Sequence, residues 1–311
     1  MSRTNVPEVR AALDAVLNRL KVMHPDAAGR AARALDAVLA ATRVSIWPEV
    51  AWRWSGLTNT GFPVEFSWSS LDSAVRWTAE AAGPESGESQ RLDAALRALE
   101  RLGIAADVPG WLTPSPDRTL RFGAWLGGRH DASGDRYKLY IDLAGIHELE
   151  SLQADLLRRI PSRIVWRMAG VDPKAGVSEL YGRLLRPKIW EIERLLAGCE
   201  LDADPVLAMA GRLTGRAPDG LVLTGAAGIS LAFGEGRVVA AGCFIQSGSR
   251  LGGDPSVARR VYRVAAEHGW STKVYDAVLG QVTSSRPGRH GMIGFGVSAG
   301  GDPWLQVGLR P

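Results

Sequence analysis

The sequence has little of what marks secreted or membrane proteins. It contains only two cysteines, Cys199 and Cys243, too few for a disulfide framework, so we expect reduced thiols. No apolar run approaches the length of about 18 residues that a membrane-spanning helix needs. The first twenty residues have the spacing of an amphipathic helix, and they lack the apolar core and cleavage site of a signal peptide. These absences predict a cytoplasmic protein without a membrane partner.

Motifs for common ligands are also missing. The net charge is a mild +4 and no basic run reaches five residues, so no nucleic-acid partner is expected. The sequence contains no HExxH spacing, no metal-ligand cluster and no glycine-rich phosphate loop. The segment GLVLTGAAGIS has spaced glycines, but no helix pattern follows it, which argues against a dinucleotide fingerprint. We therefore predict no tightly bound cofactor and no bound metal.

What the chain does contain is a repeated alternation of hairpins and helices. Its 311 residues are 46% apolar and 23% charged, as in globular proteins with a sizeable core. Period-two alternation and turn residues predict hairpins at residues 56–81, 119–143, 163–185, 220–247 and 291–310. Helical spacing predicts helices at residues 7–42 with a break at Pro25, and at 86–102, 147–160, 187–213 and 254–279.

The simplest fold that buries every apolar strand face is a closed barrel. Ten antiparallel strands would form it, with the helices packed outside, as one α+β domain over residues 1–311. A barrel of this width has room for a ligand. Two α+β domains with open sheets are the competing architecture.

The first hairpin is the most informative stretch. Alternation separates Val64, Phe66 and Trp68 from Glu65, and it places Arg76 on the polar face of the next strand. One strand face is thus large and apolar, whereas the other carries a carboxylate and a guanidinium. This pattern favours a lined cavity. The alternatives are a half-exposed hairpin with surface charges and a simple cross-strand ion pair between Glu65 and Arg76.

If the apolar faces point towards the helices, the same alternation predicts what lines the lumen. The expected lining is cationic and aromatic, with glycines on one side that leave room for a bulky ligand. Alternation places the following residues inside: Glu65, Ser67, Arg76, Thr78, Arg121, Gly123, Trp125, Lys138, Tyr140, Asp142, Arg167, Glu179, Tyr181, Arg183, Gly294, Gly296, Ser298, Trp304, Gln306, Gly308 and Arg310. The fourth hairpin is almost featureless and either of its faces could be the inner one; the candidates there are Ala240, Gly242 and Gln246.

These residues resemble the aromatic prenyltransferases of the ABBA, or PT-barrel, fold, which have five αββα units around a ten-stranded barrel. SGLTNTGFPVEFSWS followed by VRW resembles the first-hairpin motif of the dimethylallyl-tryptophan-synthase branch, on Pro63, Glu65, Ser67 and Arg76. YKLYID resembles the second hairpin, and the chain end FGVSAGGDPWLQVGLRP resembles the closing one. The resemblance covers the whole chain in layout, but its motifs are specific only in the first two hairpins.

The resemblance implies a division of roles. Glu65 would accept the proton of an indole N–H, and Arg76, Lys138, Tyr140 and Tyr181 would hold or shield a prenyl diphosphate. Dimethylallyl or geranyl diphosphate would be the co-substrate, and a tryptophan-like compound, free or in a peptide or natural product, the acceptor. The chain is shorter than typical fungal members and closer in length to bacterial ones. Magnesium is compatible with this chemistry but is not implied by any carboxylate site.

Three positions depart from the family pattern. Val177 and Glu179 stand where the family has an arginine and a lysine, and Gly308 stands where it has a final tyrosine. The fourth hairpin has no glutamine-x-tyrosine unless Gln246 takes that role. Arg167 and Arg183, with Arg121 and Arg310, are the candidates to replace the missing cations, and Trp125, Trp304 and Gln306 are candidate pocket residues.

The sequence therefore supports one leading function and two alternatives. The leading hypothesis is an aromatic prenyltransferase. The departures motivate the second, a barrel that binds or transforms an aromatic natural product without a prenyl diphosphate. A third is an interaction protein without lumen chemistry, which would need an exposed apolar patch. Lys138 and Tyr140 could also be a solvent-facing strand pair.

Overall fold

The computed structural model contains ten antiparallel strands that close into one barrel. It describes residues 6–42, 55–58, 61–105, 121–143, 156, 158–173, 176–216, 220, 222–223, 225–281 and 288–311. The strands are β1 Val64–Ser69, β2 Asp72–Glu80, β3 Ala124–Asp131, β4 Gly134–Asp142, β5 Val165–Asp172, β6 Gly176–Leu185, β7 Ala226–Gly234, β8 Arg237–Gln246, β9 His290–Ser298 and β10 Pro303–Leu309.

Each strand pairs with its neighbours in sequence, and pairing of β1 with β10 closes the ring. The first and last hairpins are therefore in direct contact, with Phe66 opposite Leu309 and Trp68 opposite Val307. This closure confirms the predicted barrel, and the alternative of open sheets is wrong.

Helices cover the outside of the barrel. They are α1 Val6–Met23, α2 Pro25–Val38, α3 Glu88–Arg101, α4 Ile189–Gly198, α5 Asp204–Thr214, α6 Asp254–Glu267 and α7 Lys273–Leu279, with a 3-10 turn at Leu39–Thr42 and a single helical turn at Ser247–Arg250. Pro25 begins α2, as the predicted break requires. The helix expected at residues 147–160 lies mostly outside the described residues.

The predicted faces of the first hairpin are confirmed. Val64, Phe66 and Trp68 on β1, and Val75 and Trp77 on β2, are almost fully buried in the core between the strands and the helices. Burying large apolar side chains on the outer face is the main stabilising contribution of this layer. The opposite face of the same strands is left to surround the lumen.

Two buried histidines are centres of hydrogen-bond networks in this outer layer; that of His130 joins three strands, and that of His290 joins a strand to two helices. The Trp77 indole donates to His130 Nε2 at 2.9 Å, and His130 Nδ1 lies 2.8 Å from Asp135 Oδ1. The Tyr275 hydroxyl lies 2.8 Å from His290 Nε2, and His290 Nδ1 lies 2.6 Å from Asp254 Oδ1. Both rings have partners on both nitrogens.

Candidate active site

The barrel encloses a cavity of about 400 Å³. That volume is in the range of small-molecule binding sites. Its lining includes seven residues that the sequence analysis singled out, namely Glu65, Arg76, Lys138, Tyr140, Tyr181, Trp304 and Gln306. These residues come from five strands in four of the five hairpins, so only closure of the barrel brings them together.

Glu65 carries an isolated carboxylate in this cavity. Its side chain extends over Gly308 and Gly291, where any β-carbon would strike the carboxylate oxygens. Burial raises the pKa of Glu65 to about 8. Arg76 pairs with Asp72 instead, at 2.5 Å, so the cross-strand ion pair between Glu65 and Arg76 is not formed. Gly308 and Gly291 therefore both make room for Glu65.

Tyr140 is a second titratable residue in the cavity, and both Glu65 and Thr78 act on its phenol. Thr78 is opposite Glu65 in the strand register, and its side chain slightly counteracts the rise in the pKa of the Tyr140 phenol. Burial raises the pKa of the Tyr140 phenol, and the charges of Glu179 and Glu65 raise it further. The phenol is therefore neutral at physiological pH and is available as a hydrogen-bond donor.

An aromatic belt forms much of the cavity wall. The Tyr140 and Tyr181 ring centroids are 5.9 Å apart, and those of Tyr181 and Phe244 are 5.7 Å apart. A β-carbon at Gly294 would meet Phe244 and Trp304 at 3.3 Å each, so these two rings meet over that glycine. The sequence analysis did not name Phe244, although the alternation that puts Ala240 and Gly242 inside puts Phe244 there too. Aromatic faces of this kind can stabilise a cation.

The glycines of the last hairpins do not leave the open space that the sequence suggested. A β-carbon at Gly242 would lie 2.6 Å from Trp304 Cζ2, and one at Gly296 would overlap the Trp304 ring. The Trp304 indole therefore lies flat over these glycines and fills the space that they clear. Its Nε1 is buried with no hydrogen-bond partner among the described residues.

Three cations of the cavity, Arg76, Arg129 and Lys138, are paired with carboxylates, so the lumen is less cationic than expected. Arg129 Nη2 lies 3.0 Å from Asp72 Oδ2 and 2.7 Å from Asp131 Oδ2. Burial opposes ionisation of Asp72, but Arg76 and Arg129 outweigh it and lower the pKa of this carboxyl. Lys138 Nζ lies 2.6 Å from Glu179 Oε1. The acidic Glu179 therefore neutralises one of the predicted diphosphate ligands.

Arg129 and Arg136 were missed in the sequence analysis. Both line the cavity, beside the turn of the second hairpin. The turn was expected at His130–Asp135, whereas β3 continues to Asp131 and β4 begins at Gly134. Continuing the alternation from Trp125 forward to Arg129, and from Lys138 back to Arg136, would have placed both arginines inside.

Several predicted site residues are not part of the cavity lining. Arg183 has the predicted lumen-facing phase on β6, whereas Arg167 lies at a register shift in β5, between Trp166 and Met168. Both arginines are exposed near the strand ends away from the hairpin turns. Trp125 Nε1 donates to Glu80 Oε1 at 2.9 Å, and its ring stacks on Phe122. Arg121 and Arg310 are also absent from the lining. Alternation specifies the strand face, but not the height of a residue along the barrel axis.

A second buried carboxylate, that of Glu80, lies at the last residue of β2. Glu80 accepts hydrogen bonds from Ser55 at 2.7 Å and from Trp125, and Arg91 lies 3.2 Å from its second oxygen. Unlike Glu65, this carboxylate has partners on both oxygens. We infer that Glu80 is structural and that it positions Trp125.

The fold is that of the PT barrels. The structure of 5-dimethylallyltryptophan synthase from Streptomyces coelicolor is similar, with a TM-score of 0.80 and 16% identity over 99% of this chain and 98% of that chain. A 6-dimethylallyltryptophan synthase from Micromonospora olivasterospora, in complex with DMASPP and Trp, matches with a TM-score of 0.75 and 19% identity over 96% of each chain. AnaPT from Neosartorya fischeri matches with a TM-score of 0.70 and 13% identity over 95% of this chain and 91% of that chain.

No protein-family model and no curated protein matches the sequence. Within the described ranges, no helix is both long and apolar enough to cross a membrane. The same part of the chain contains no cluster of three or more His, Cys, Asp or Glu side chains suited to a metal ion.

Proposed function

We propose that the protein is an aromatic prenyltransferase that moves a dimethylallyl or geranyl group from its diphosphate to an indole or tryptophan-like acceptor. The observation that carries this proposal is the position of Glu65, an unpaired carboxylate inside a barrel cavity that also holds Arg76, Lys138 and an aromatic belt. The similar structures include a dimethylallyltryptophan synthase in complex with DMASPP and Trp, which supports the same substrate classes here.

The proposed reaction uses each part of the cavity. Arg76 and Lys138 bind the diphosphate, so that breaking the allylic C–O bond leaves diphosphate beside positive charge. The resulting cation lies against the rings of Tyr140, Tyr181 and Phe244. A carbon of the acceptor ring attacks the cation, and Glu65 accepts the proton that the acceptor loses.

Two further properties are part of this proposal. We infer that residues 1–311 act as one domain, supported by the pairing of the first and last hairpins. We also infer a cytoplasmic location. The buried, free thiols of Cys199 and Cys243 are consistent with it.

The test is prenyl transfer by the purified protein from dimethylallyl or geranyl diphosphate to tryptophan and to tryptophan-containing peptides. We expect Glu65→Gln to lower kcat by about 10²–10⁴-fold while donor affinity stays near that of the unaltered protein, because a general base typically contributes a factor of this size. If Glu65 must be ionised, kcat rises with pH through the pKa of about 8.

Glu65→Asp is the control, because it keeps the carboxylate and should recover part of the rate. Transfer that proceeds equally well in Glu65→Gln would remove Glu65 from the mechanism. Failure of the unaltered protein to bind either donor would refute the proposed function.

A second function is favoured by the ion pairs of the cavity. Because Glu179 pairs with Lys138, and Asp72 with Arg76 and Arg129, much of the positive charge is already neutralised. A barrel that binds or transforms an aromatic natural product without a diphosphate fits this balance. Calorimetry with tryptophan or indole in the absence of a donor, compared with pyrophosphate alone, separates the two functions.

A further inference from the structure

We propose that Arg129 and Arg136, on the second hairpin, form the diphosphate-binding site together with Arg76 and Lys138. This inference rests on the proposed function and names the residues of the same site. The diphosphate would then be bound mainly by β2, β3 and β4, and not by the third hairpin, which carries Glu179. The resemblance to the prenyltransferase family implies a cation at the position of Glu179.

The strand register places the three arginines in one row. Arg76 on β2 is directly opposite Arg129 on β3, which is directly opposite Arg136 on β4. All three side chains line the cavity, and Lys138 follows Arg136 on the same face of β4. Like charges directly opposite each other in a sheet are destabilising, so such a row indicates a site that binds an anion.

The carboxylates nearby satisfy this row only in part. Asp72 Oδ2 is shared by the Nη2 atoms of Arg76 and Arg129. The Nε atoms of both arginines are buried and have no hydrogen-bond partner among the described residues. Leaving a buried charged donor without an acceptor is costly, and a diphosphate offers several oxygen acceptors to adjacent guanidinium groups. Reorientation of these side chains around such a ligand would satisfy them.

The third hairpin is unsuited to the same role. Lys138 on β4 and Glu179 on β6 meet across β5, because Gly170 has no side chain to separate them. A β-carbon at Gly170 would lie 3.1 Å from Lys138 Cδ and 3.3 Å from Glu179 Cβ. Glu179 thus adds negative charge beside Lys138 where the anion would need positive charge. A bound diphosphate must compete with Glu179 for Lys138, which makes the arginine row the stronger part of the site.

The experiment measures binding of two anions by calorimetry. They are inorganic pyrophosphate and dimethylallyl thiolodiphosphate, a donor analogue whose allylic C–S bond resists cleavage. The variants are Arg129→Gln, Arg136→Gln and the conservative Arg129→Lys. Arg167→Gln and Arg183→Gln are matched controls, because these exposed arginines lie outside the cavity lining. Thermal unfolding of each variant establishes that it is folded. Because the Arg136 side chain is exposed, Arg136→Gln is less prone to destabilise the protein than Arg129→Gln.

We expect each glutamine variant to weaken binding of both anions by about tenfold or more, the usual effect of losing a charge-assisted hydrogen bond. The dependence of affinity on salt should also become shallower, whereas Arg129→Lys should retain part of the affinity and the controls should bind as the unaltered protein does. Unchanged affinity in Arg136→Gln and in folded Arg129→Gln overturns the inference but leaves the proposed function intact. If the unaltered protein binds neither anion, the proposed function fails as well.

Discussion

Buried polar groups of the outer layer and of the lumen differ in whether they have hydrogen-bond partners. Outside, His130 and His290 each have a partner on both ring nitrogens. Inside, Glu65 has no counter-ion among the described residues, Arg76 and Arg129 have unpartnered Nε atoms, and Trp304 has an unpartnered indole N–H. Satisfied networks stabilise one arrangement of a fold, whereas unsatisfied groups raise its free energy. The contrast indicates that the lumen is arranged for a ligand rather than for stability.

The contrast is not complete, because one outer group also lacks a partner. His268 Nε2 is buried and unpartnered, and the ring stacks on Trp270 at 4.4 Å between centroids. His268 lies just after α6 and is far in sequence from the strands that line the cavity. We have no physical account of this nitrogen.

The largest effect should come from breaking a satisfied outer network. Tyr275→Phe removes the hydroxyl next to His290 Nε2 and leaves that buried nitrogen without a partner, so we expect a loss of about 1–3 kcal/mol in the free energy of unfolding. Tyr262→Phe is the matched control, because the Tyr262 hydroxyl bonds Asp276 at an exposed position and should contribute much less.

Denaturant unfolding of both variants measures the difference, and calorimetry should show the same affinity for pyrophosphate in both. Equal stability of the two variants would contradict the distinction between the layers.

Replacing Glu65 in the lumen is expected to increase the free energy of unfolding, whereas Tyr275→Phe decreases it. The pKa of Glu65 is about 8 in the folded protein and lies near its ordinary value of 4.5 when unfolded. Between these values the folded state binds more protons, so the contribution of Glu65 to stability is fully present below pH 4.5 and is lost as the pH rises towards 8. Glu65→Gln should therefore stabilise the protein by about 1 kcal/mol or more at pH 8, and by little at pH 4.5.

Unfolding of Glu65→Gln and of the unaltered protein across that pH range provides the measurement. A stability difference that does not change with pH would show that Glu65 is not protonated on folding. The same variant is expected to lose turnover, so a more stable and less active protein is the combined signature.

The smallest effect concerns the ion pair in the lumen. Glu179→Gln removes the carboxylate that competes for Lys138, and we expect pyrophosphate to bind a few-fold to about tenfold more tightly, since a charged hydrogen bond contributes about 1.5–3 kcal/mol before competing losses. Glu85→Gln, at an exposed position outside the cavity, is the matched control. Calorimetry at fixed salt measures the effect. Weaker binding in Glu179→Gln would mean that Glu179 positions Lys138 for the anion rather than competing with it.

The sequence was a good guide to which strand face each residue occupies. Period-two alternation depends only on backbone geometry, so it correctly separated Glu65 from Val64 and Phe66, and Lys138 and Tyr140 from Leu139. It also predicted the five hairpins and, from the number of apolar strand faces to be buried, the closed barrel.

The same alternation could not give the height of a residue along the barrel axis. Arg183 and Trp125 have the expected orientation but do not line the cavity, whereas Arg129 and Arg136 line it. Arg167 lies at a register shift in β5, which alternation cannot predict. Nor could it show that Trp304 fills the space above Gly242 and Gly296, because these residues are on three different strands. Contacts of this kind depend on the stagger between strands and on side-chain volume.

The sequence by itself therefore determined the order of the hairpins, the inner and outer faces and the resemblance that named Glu65, Arg76, Lys138 and Tyr140. Only the tertiary structure decided which charges meet, since Lys138 reaches Glu179 across a glycine on the strand between them and Arg76 turns to Asp72 instead of Glu65. The physical reason is the separation along the chain over which each effect acts. Alternation and burial act within one strand, whereas pairing and pKa shifts depend on groups that distant parts of the chain bring within a few ångströms.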